Sequence, residues 1–112
     1  MASRFTASTI EHRYQQRKPL YLDVVIYRNH IPVAVGKTRD ISSDGMGIDS
    51  EIVNIQQNSI VEVEVGVNRE SSTVYHRLSG LVVHHQYKGF GILFTNLDAN
   101  SSAVLRQLMK EQ

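Results

Sequence analysis

The chain has 112 residues and a formal net charge of +1, with 41% hydrophobic residues, 21% charged residues and no cysteine. This length supports one domain with one core, and the near-neutral charge excludes a global field that would attract nucleic acid polymers or anionic lipid. No run approaches the 18 apolar residues of a membrane span, and the first residues lack the apolar stretch of a secretion signal. Without cysteine there are no disulfides, thiolate nucleophiles or cysteine-based zinc sites. We therefore expect a single-domain cytoplasmic protein in which any anion site is local.

The N-terminal segment is polar and carries a pair of arginines. Residues 1–10 are small, polar and aperiodic, which predicts a flexible tail. Residues 11–19 are dense in arginine, and Pro19 disfavours a helix at the residue before it, so this segment is predicted to be a loop. The loop contains Arg13 and Arg17, two guanidinium groups separated by three residues.

The chain from residue 20 to residue 97 alternates between strand-like runs and short turns. The clearest strand is 60–67, where valines point one way and glutamates the other. A glycine permits a kink, so the long strand 73–86 is predicted to bend or bulge at Gly80. The predicted strands are 20–27, 31–41, 46–49, 60–67, 73–86 and 90–94.

Residues 98–112 are predicted to form a helix. Either Asp98 or Asn100 caps it, and apolar residues recur at helical spacing in Val104, Leu105, Leu108 and Met109. Five or six antiparallel strands with short turns and one terminal helix predict a mostly β protein. We expect a small closed or nearly closed antiparallel β-barrel followed by a C-terminal α-helix.

A polar turn sequence links the second and third predicted strands. Residues 40–45 read Asp-Ile-Ser-Ser-Asp-Gly between two apolar runs. Alone, such a sequence indicates a turn, because Asp, Ser and Gly are the usual turn residues, and an isolated arginine pair indicates a solvated surface. Guanidinium forks, however, match phosphate oxygens and the O6 and N7 edge of guanine. A polar turn can hold the rest of a nucleotide, so the two motifs together predict a nucleotide site.

The two motifs resemble the RxxxR and (D/N)xSxxG motifs of PilZ domains, which bind bacterial cyclic di-GMP. The resemblance covers residues 11–112 and implies a six-stranded barrel of the split-barrel type. On this basis 11–19 is the arginine loop, 20–97 the barrel and 98–112 the helix. The ligand contacts that the resemblance implies are Arg13, Arg17, Asp40, Ser42 and Gly45.

Each of these residues has a role that the resemblance implies. The arginines bind phosphates and guanine Hoogsteen edges, and Asp40 accepts the guanine N1 and N2 protons or contacts a ribose. Ser42 bonds a base edge, a phosphate or the loop backbone, while Gly45 permits a backbone angle or a close approach that a Cβ would block. Possible additional contacts are His12, Lys18 and Gly47.

The neighbours of the motifs are ambiguous. In this family the residue at the position of His12 is thought to influence whether one ligand or an intercalated pair is bound. His12 either stacks on a guanine or faces solvent, so the stoichiometry stays open. Lys18 and Arg39 flank the motifs, and each either adds positive potential or is simply a solvated surface residue.

The sequence argues against an enzyme, because it has no Gly-rich phosphate loop, GxSxG or HExxH. No metal site is expected, since the adjacent His84 and His85 point to opposite faces of a strand. The leading hypothesis is a receptor that needs no cofactor, binds cyclic di-GMP and relays the signal to an unidentified protein effector by ordering its N-terminal segment. The alternative is a protein-interaction adaptor of the same fold that does not depend on nucleotide. A near-neutral chain without tryptophan disfavours binding of single-stranded nucleic acid, and no membrane insertion is expected.

Overall fold

The computed structural model describes residues 17–50, 55–86 and 88–110, with the side chains of all of these except residues 84–86. The predicted tail at residues 1–10 and most of the arginine loop lie outside the described residues. Within the described part, seven strands precede one helix. They are β1 (Lys18–Pro19), β2 (Asp23–Arg28), β3 (Ile31–Ile41), β4 (Gly45–Asp49), β5 (Ile60–Arg69), β6 (Ser72–Gln86), β7 (Gly89–Phe94) and α1 (Ala99–Lys110).

Six of these strands form a closed antiparallel barrel. Their order is β3-β2-β5-β6-β7-β4, and β4 pairs back with β3 to close the ring. β1 is an extra two-residue strand that pairs with the end of β3, with Lys18 opposite Ile41 and Pro19 opposite Asp40. The predicted fold class, a mostly β six-stranded barrel with a C-terminal helix, is confirmed. β1 is too short to show the period-two pattern by which the sequence predicts strands.

The barrel interior is filled by the inward-facing residues of each strand. On β5, Val63, Val65 and Val67 are fully buried, whereas Glu62 and Glu64 lie on the outer surface. This is the alternation expected of a strand that is half-buried in a barrel wall. The other fully buried side chains of the barrel include Ile26, Ile41, Met46, Ile48, Leu78 and Phe90.

The helix covers the barrel as its apolar stripe predicts. Val104, Leu105 and Leu108 are buried in the common core. Of the two predicted caps the structure selects Asp98, whose Oδ1 accepts the backbone N–H of Ser101 at 2.8 Å. Hydrogen bonds from Ser101 lower the pKa of the Asp98 carboxyl, because they stabilise its ionised form.

The N-terminal segment departs from the predicted strand 20–27. Regular pairing of β2 begins at Asp23, and residues 20–22 are bonded instead to Thr38 and Arg39 of β3. The Thr38 hydroxyl donates to the Leu20 carbonyl and accepts the Leu22 N–H at 2.8 Å. β1, this linker and β2 therefore run along one edge of β3, which brings the residue before β1 to the end of β3.

The prediction of a bulge at Gly80 is wrong. Gly80 pairs regularly with Val61 on β5, and the register change in β6 lies between Val82 and His84. A Cβ at position 80 would collide with the side chain of Ile92. Glycine is therefore required at position 80 because a side chain would not fit between β6 and β7. The sequence of β6 alone does not reveal this requirement.

Candidate functional site

The structure brings one residue from each sequence motif into contact at the outer surface of β3. Arg17 immediately precedes β1, and its Nη1 lies 3.3 Å from Oδ1 of Asp40. The two are 23 positions apart in sequence, and they meet because β1 places Pro19 opposite Asp40. Arg17 is 34% exposed and Asp40 28% exposed, so solvent screens the pair and it contributes at most about 1 kcal/mol to stability.

The carboxylate of Asp40 is fixed on one side and open on the other. Its Oδ1 accepts the backbone N–H of Gly47 on the paired strand β4 at 3.1 Å, in addition to the contact with Arg17. Among the described residues no group donates a hydrogen bond to Oδ2, whose nearest cation is Nε of Arg39 at 4.0 Å. One oxygen thus holds the side chain to the barrel wall, and the other is available to a donor from outside.

A β-bulge places two successive side chains of β3 on the same face. Thr38 pairs with Ile48 and Asp40 pairs with Gly47, so Arg39 is an extra residue in this ladder. Thr38 is 1% exposed and points into the core, while the side chains of Arg39 and Asp40 are both partly exposed, 33% and 28%. An arginine and a carboxylate therefore stand side by side beside Arg17. Arg39 was predicted only to flank the motifs, whereas strict alternation would have put it on the opposite face from Asp40.

The guanidinium of Arg39 lies over the backbone of Gly47. A Cβ at position 47 would collide with Nη2 of Arg39 and would lie 3.0 Å from Oδ1 of Asp40. Nη1 of Arg39 also contacts the Asp49 carboxylate, which is 58% exposed. Gly47 was predicted as a possible ligand contact. In the structure its missing side chain leaves room for the Arg39 guanidinium. Asp49 was not among the predicted site residues.

Ser42 lies in the turn between β3 and β4 and is 2% exposed. Its hydroxyl oxygen accepts the N–H groups of Asp44 and Gly45, each at 3.2 Å, and its own N–H donates to the Gly45 carbonyl at 2.8 Å. The Asp44 carbonyl accepts the N–H of Phe94 at 2.8 Å. Of the three partners that the sequence left open for Ser42, the structure shows the loop backbone, and these bonds tie the turn to the end of β7.

Gly45 and Lys18 make structural contacts of their own. Gly45 is buried opposite Leu93 of β7, where a Cβ would collide with the Ile92 carbonyl, so the close approach here is that of another strand. The Nζ of Lys18 donates to the Met109 carbonyl at 3.4 Å, near the C-terminus of α1. The remaining predicted site residues, Arg13 and His12, lie outside the described residues.

Comparison with known proteins identifies the family. The model of the PilZ domain family matches residues 11–111. The chain belongs to the PilZ domain family. Members of this family are in general receptors for cyclic di-GMP, and PilZ domains are binding and regulatory domains rather than enzymes.

Two solved structures share the fold of this PilZ domain. The Bacillus subtilis inhibitor of motility, MotI/DgrA, superposes with a TM-score of 0.68 at 14% identity, over 86% of this chain and 48% of that one. The PilZ domain of CeSA from a cellulose-synthesizing bacterium superposes with a TM-score of 0.68 at 12% identity, over 85% of this chain and 95% of that domain. This chain thus spans about half the length of MotI/DgrA. No curated protein sequence matches it.

A concave surface elsewhere on this PilZ domain is lined by none of the predicted site residues that the structure describes. It is an open groove of about 890 Å³ on the outside of the barrel, with Val25, Val35 and Tyr75 in its wall. Charged side chains on its rim already have partners within the domain, such as Asp23 with Lys37 at 3.6 Å. None of the described residues that line the groove is an arginine, which makes this part of the surface a poor match for a dinucleotide with two phosphates.

The described part of the PilZ domain contains no cluster of three histidine or acidic side chains that could hold a metal ion. Nor is any helix in that part long and apolar enough to cross a membrane.

Proposed function

We propose that this PilZ domain is a bacterial receptor that binds cyclic di-GMP with Arg13, Arg17 and Asp40, and that relays the signal to a protein partner. The observation that supports this most is the meeting of Arg17 with Asp40 at an open surface of the barrel. Cyclic di-GMP carries two phosphates and two guanines, so a receptor for it needs cations, planar donors and an acceptor for the guanine N–H groups. Arg17 and Asp40 supply these chemistries side by side.

Binding exchanges one ionic contact for several. In the free domain Arg17 is held by the Asp40 carboxylate, and both are solvated enough to release each other at little cost. The ligand's phosphate or guanine edge takes the Arg17 fork, and its guanine N–H groups approach Oδ2 of Asp40. Arg13 adds a second fork from the same segment. Ser42 and Gly45 support the site by holding the turn and the strand beneath it.

The signal follows from ordering of the N-terminal segment. The chain around Arg17 leads directly into β1, which pairs with the end of β3 and contacts the end of α1 through Lys18. A ligand that fixes Arg13 and Arg17 fixes this segment against the barrel and changes the surface that a protein partner meets. The partner is a protein effector that receives the output of the domain.

Isothermal titration of cyclic di-GMP into the wild type and Arg17→Ala tests the binding site. Loss of one charge-assisted contact of about 1.5–3 kcal/mol should weaken binding roughly 10- to 150-fold. Lys37→Ala is the matched control, because it removes an exposed cation of β3 whose partner is Asp23, and it should bind as the wild type does. Equal affinity of Arg17→Ala and wild type would reject the site assignment.

The alternative function is a protein-interaction adaptor that does not depend on nucleotide. The exposed apolar side chains of the groove, Val35 at 68% and Tyr75 at 66% exposure, favour a protein contact there. An adaptor of this kind predicts no heat and no thermal shift when cyclic di-GMP is added to the folded wild type. That result would replace the receptor proposal with this one.

A further inference from the structure

We propose that Arg39 is a third ligand-binding arginine and that it reads guanine, donating to O6 of the base whose N–H groups Asp40 accepts. This inference rests on the proposed function, because it concerns the same site. It names a second residue, beside Asp40, that makes the site prefer guanine to adenine. Three features of the described residues support it: the bulge, the geometry beside Asp40 and the weak hold on the Arg39 guanidinium.

The bulge puts Arg39 where the ligand is expected. In a regular strand, residues 39 and 40 would face opposite sides of the barrel wall. Because Arg39 is the extra residue of the ladder, its side chain lies on the outer face with that of Asp40. Bulges commonly serve to redirect a side chain next to a functional site. The interruption of the β3–β4 ladder at this point therefore places a second cation beside Asp40.

The arrangement of Arg39 and Asp40 complements the edge of a guanine. The Watson–Crick edge of guanine presents the N2 and N1 donors followed by the O6 acceptor. A carboxylate that accepts the two donors leaves O6 beside it, and Arg39 is the cation next to the open Oδ2, with Nε 4.0 Å away. An arginine fork also fits the O6 and N7 pair. Adenine has an amino donor in place of O6, which meets a guanidinium that has only donors.

The Arg39 guanidinium is positioned for this contact and can be released to it. It rests over Gly47, where the missing Cβ leaves room. Its partner Asp49 is 58% exposed, so the contact is screened by water and contributes little to stability. A small displacement moves the guanidinium from the solvated Asp49 carboxylate to the edge of a bound guanine. Asp49 thus holds Arg39 in place until the ligand arrives.

The test compares dinucleotides that differ in their bases. Wild type, Arg39→Ala and Arg39→Lys are titrated with cyclic di-GMP and with cyclic di-AMP, in which both guanines are replaced by adenine. Loss of the guanine contact should weaken cyclic di-GMP binding by Arg39→Ala roughly 5- to 150-fold. The ratio between the two ligands should fall toward one. Arg39→Lys keeps the charge but not the guanidinium fork, so its affinity and its ligand ratio should lie between those of the wild type and of Arg39→Ala.

The controls separate this inference from the proposed function. Lys37→Ala, a cation two residues away on the outer face of β3, should keep both the affinity and the ratio. If the wild type binds no cyclic di-GMP, the proposed function and this inference fall together. If Arg17→Ala loses binding but Arg39→Ala keeps the affinity and base preference of the wild type, only the inference is overturned. The inference is also overturned if Arg39→Ala binds both dinucleotides more weakly by the same factor. The same holds if it only lowers the melting temperature and leaves the ratio of the two affinities unchanged.

Discussion

At the scale of single residues, the two oxygens of Asp40 have different tasks. Oδ1 is occupied by the Gly47 N–H and by Arg17, whereas Oδ2 accepts no hydrogen bond from the described residues. A carboxylate provides acceptors at both positions, but an amide provides only one oxygen. This asymmetry explains why a carboxylate suits the position better than a neutral isostere when the ligand brings N–H groups.

Asp40→Asn should therefore weaken cyclic di-GMP binding while leaving the fold intact. If the amide oxygen keeps the Gly47 bond, the amide nitrogen faces the guanine donors, and loss of a charge-assisted contact costs roughly 10- to 150-fold in affinity. The melting temperature should change little, because the ion pair with Arg17 is partly exposed. Titration calorimetry and thermal denaturation of the same preparation measure both. Unchanged affinity would indicate that the ligand does not use Oδ2.

At the scale of the elements, most strands and the helix could be predicted, and the bulge could not. The valine and glutamate alternation of β5 identifies a half-buried strand, and the stripe of α1 identifies the face on the core. The bulge at Arg39 depends on how β3 pairs with β4. Neither neighbour of Arg39 is a glycine or a proline, so the sequence of β3 gives no sign of the bulge. The linker 20–22 was predicted as strand because Leu20 and Leu22 continue the apolar alternation of β2. In the structure the Thr38 hydroxyl bonds the Leu20 carbonyl and the Leu22 N–H, which interrupts the regular ladder there.

Strand β4 offers a matched pair of substitutions, Gly45→Ala and Gly47→Ala. A Cβ at position 45 meets the rigid backbone carbonyl of Ile92, whereas one at position 47 meets mainly the movable end of Arg39. Gly45→Ala should lower the free energy of unfolding by about 1–3 kcal/mol, and Gly47→Ala should lower it less. Gly47→Ala should instead weaken cyclic di-GMP binding, because it displaces the Arg39 guanidinium.

Urea denaturation and titration of both variants check this prediction. Each variant serves as the control for the other, since both add one methyl group to the same strand. A larger loss of stability in Gly47→Ala than in Gly45→Ala would contradict the contacts described for the two glycines.

At the scale of the whole molecule, the site lies on the seam where the barrel closes. The sequence predicts a barrel but not which strands complete it, because pairing between β3 and β4 is a tertiary event. The same pair carries Asp40 and Gly47, and β1 joins β3 beside them. A ligand that spans Arg17, Asp40 and Arg39 therefore links the N-terminal segment to the closing strands. We therefore expect binding at this place to stabilise the folded barrel as a unit rather than a loop alone.

Binding of cyclic di-GMP to the folded barrel alone predicts a large thermal shift. At a free concentration one hundred times the dissociation constant, a ligand that binds only the folded state stabilises it by about 2.7 kcal/mol. For a domain of about 100 residues that free energy corresponds to a rise of roughly 10–20 °C in melting temperature. Differential scanning calorimetry of the wild type with and without cyclic di-GMP measures it.

Arg17→Ala provides the control for this experiment, because at the same ligand concentration its lower affinity should remove about half of the shift or more. Without ligand it should melt near the wild type, since its ion pair with Asp40 is solvated. A shift of equal size in both proteins would mean that the nucleotide binds away from the seam. No shift in either would point to the adaptor function, in which the groove containing Val35 and Tyr75 carries the contact with a partner.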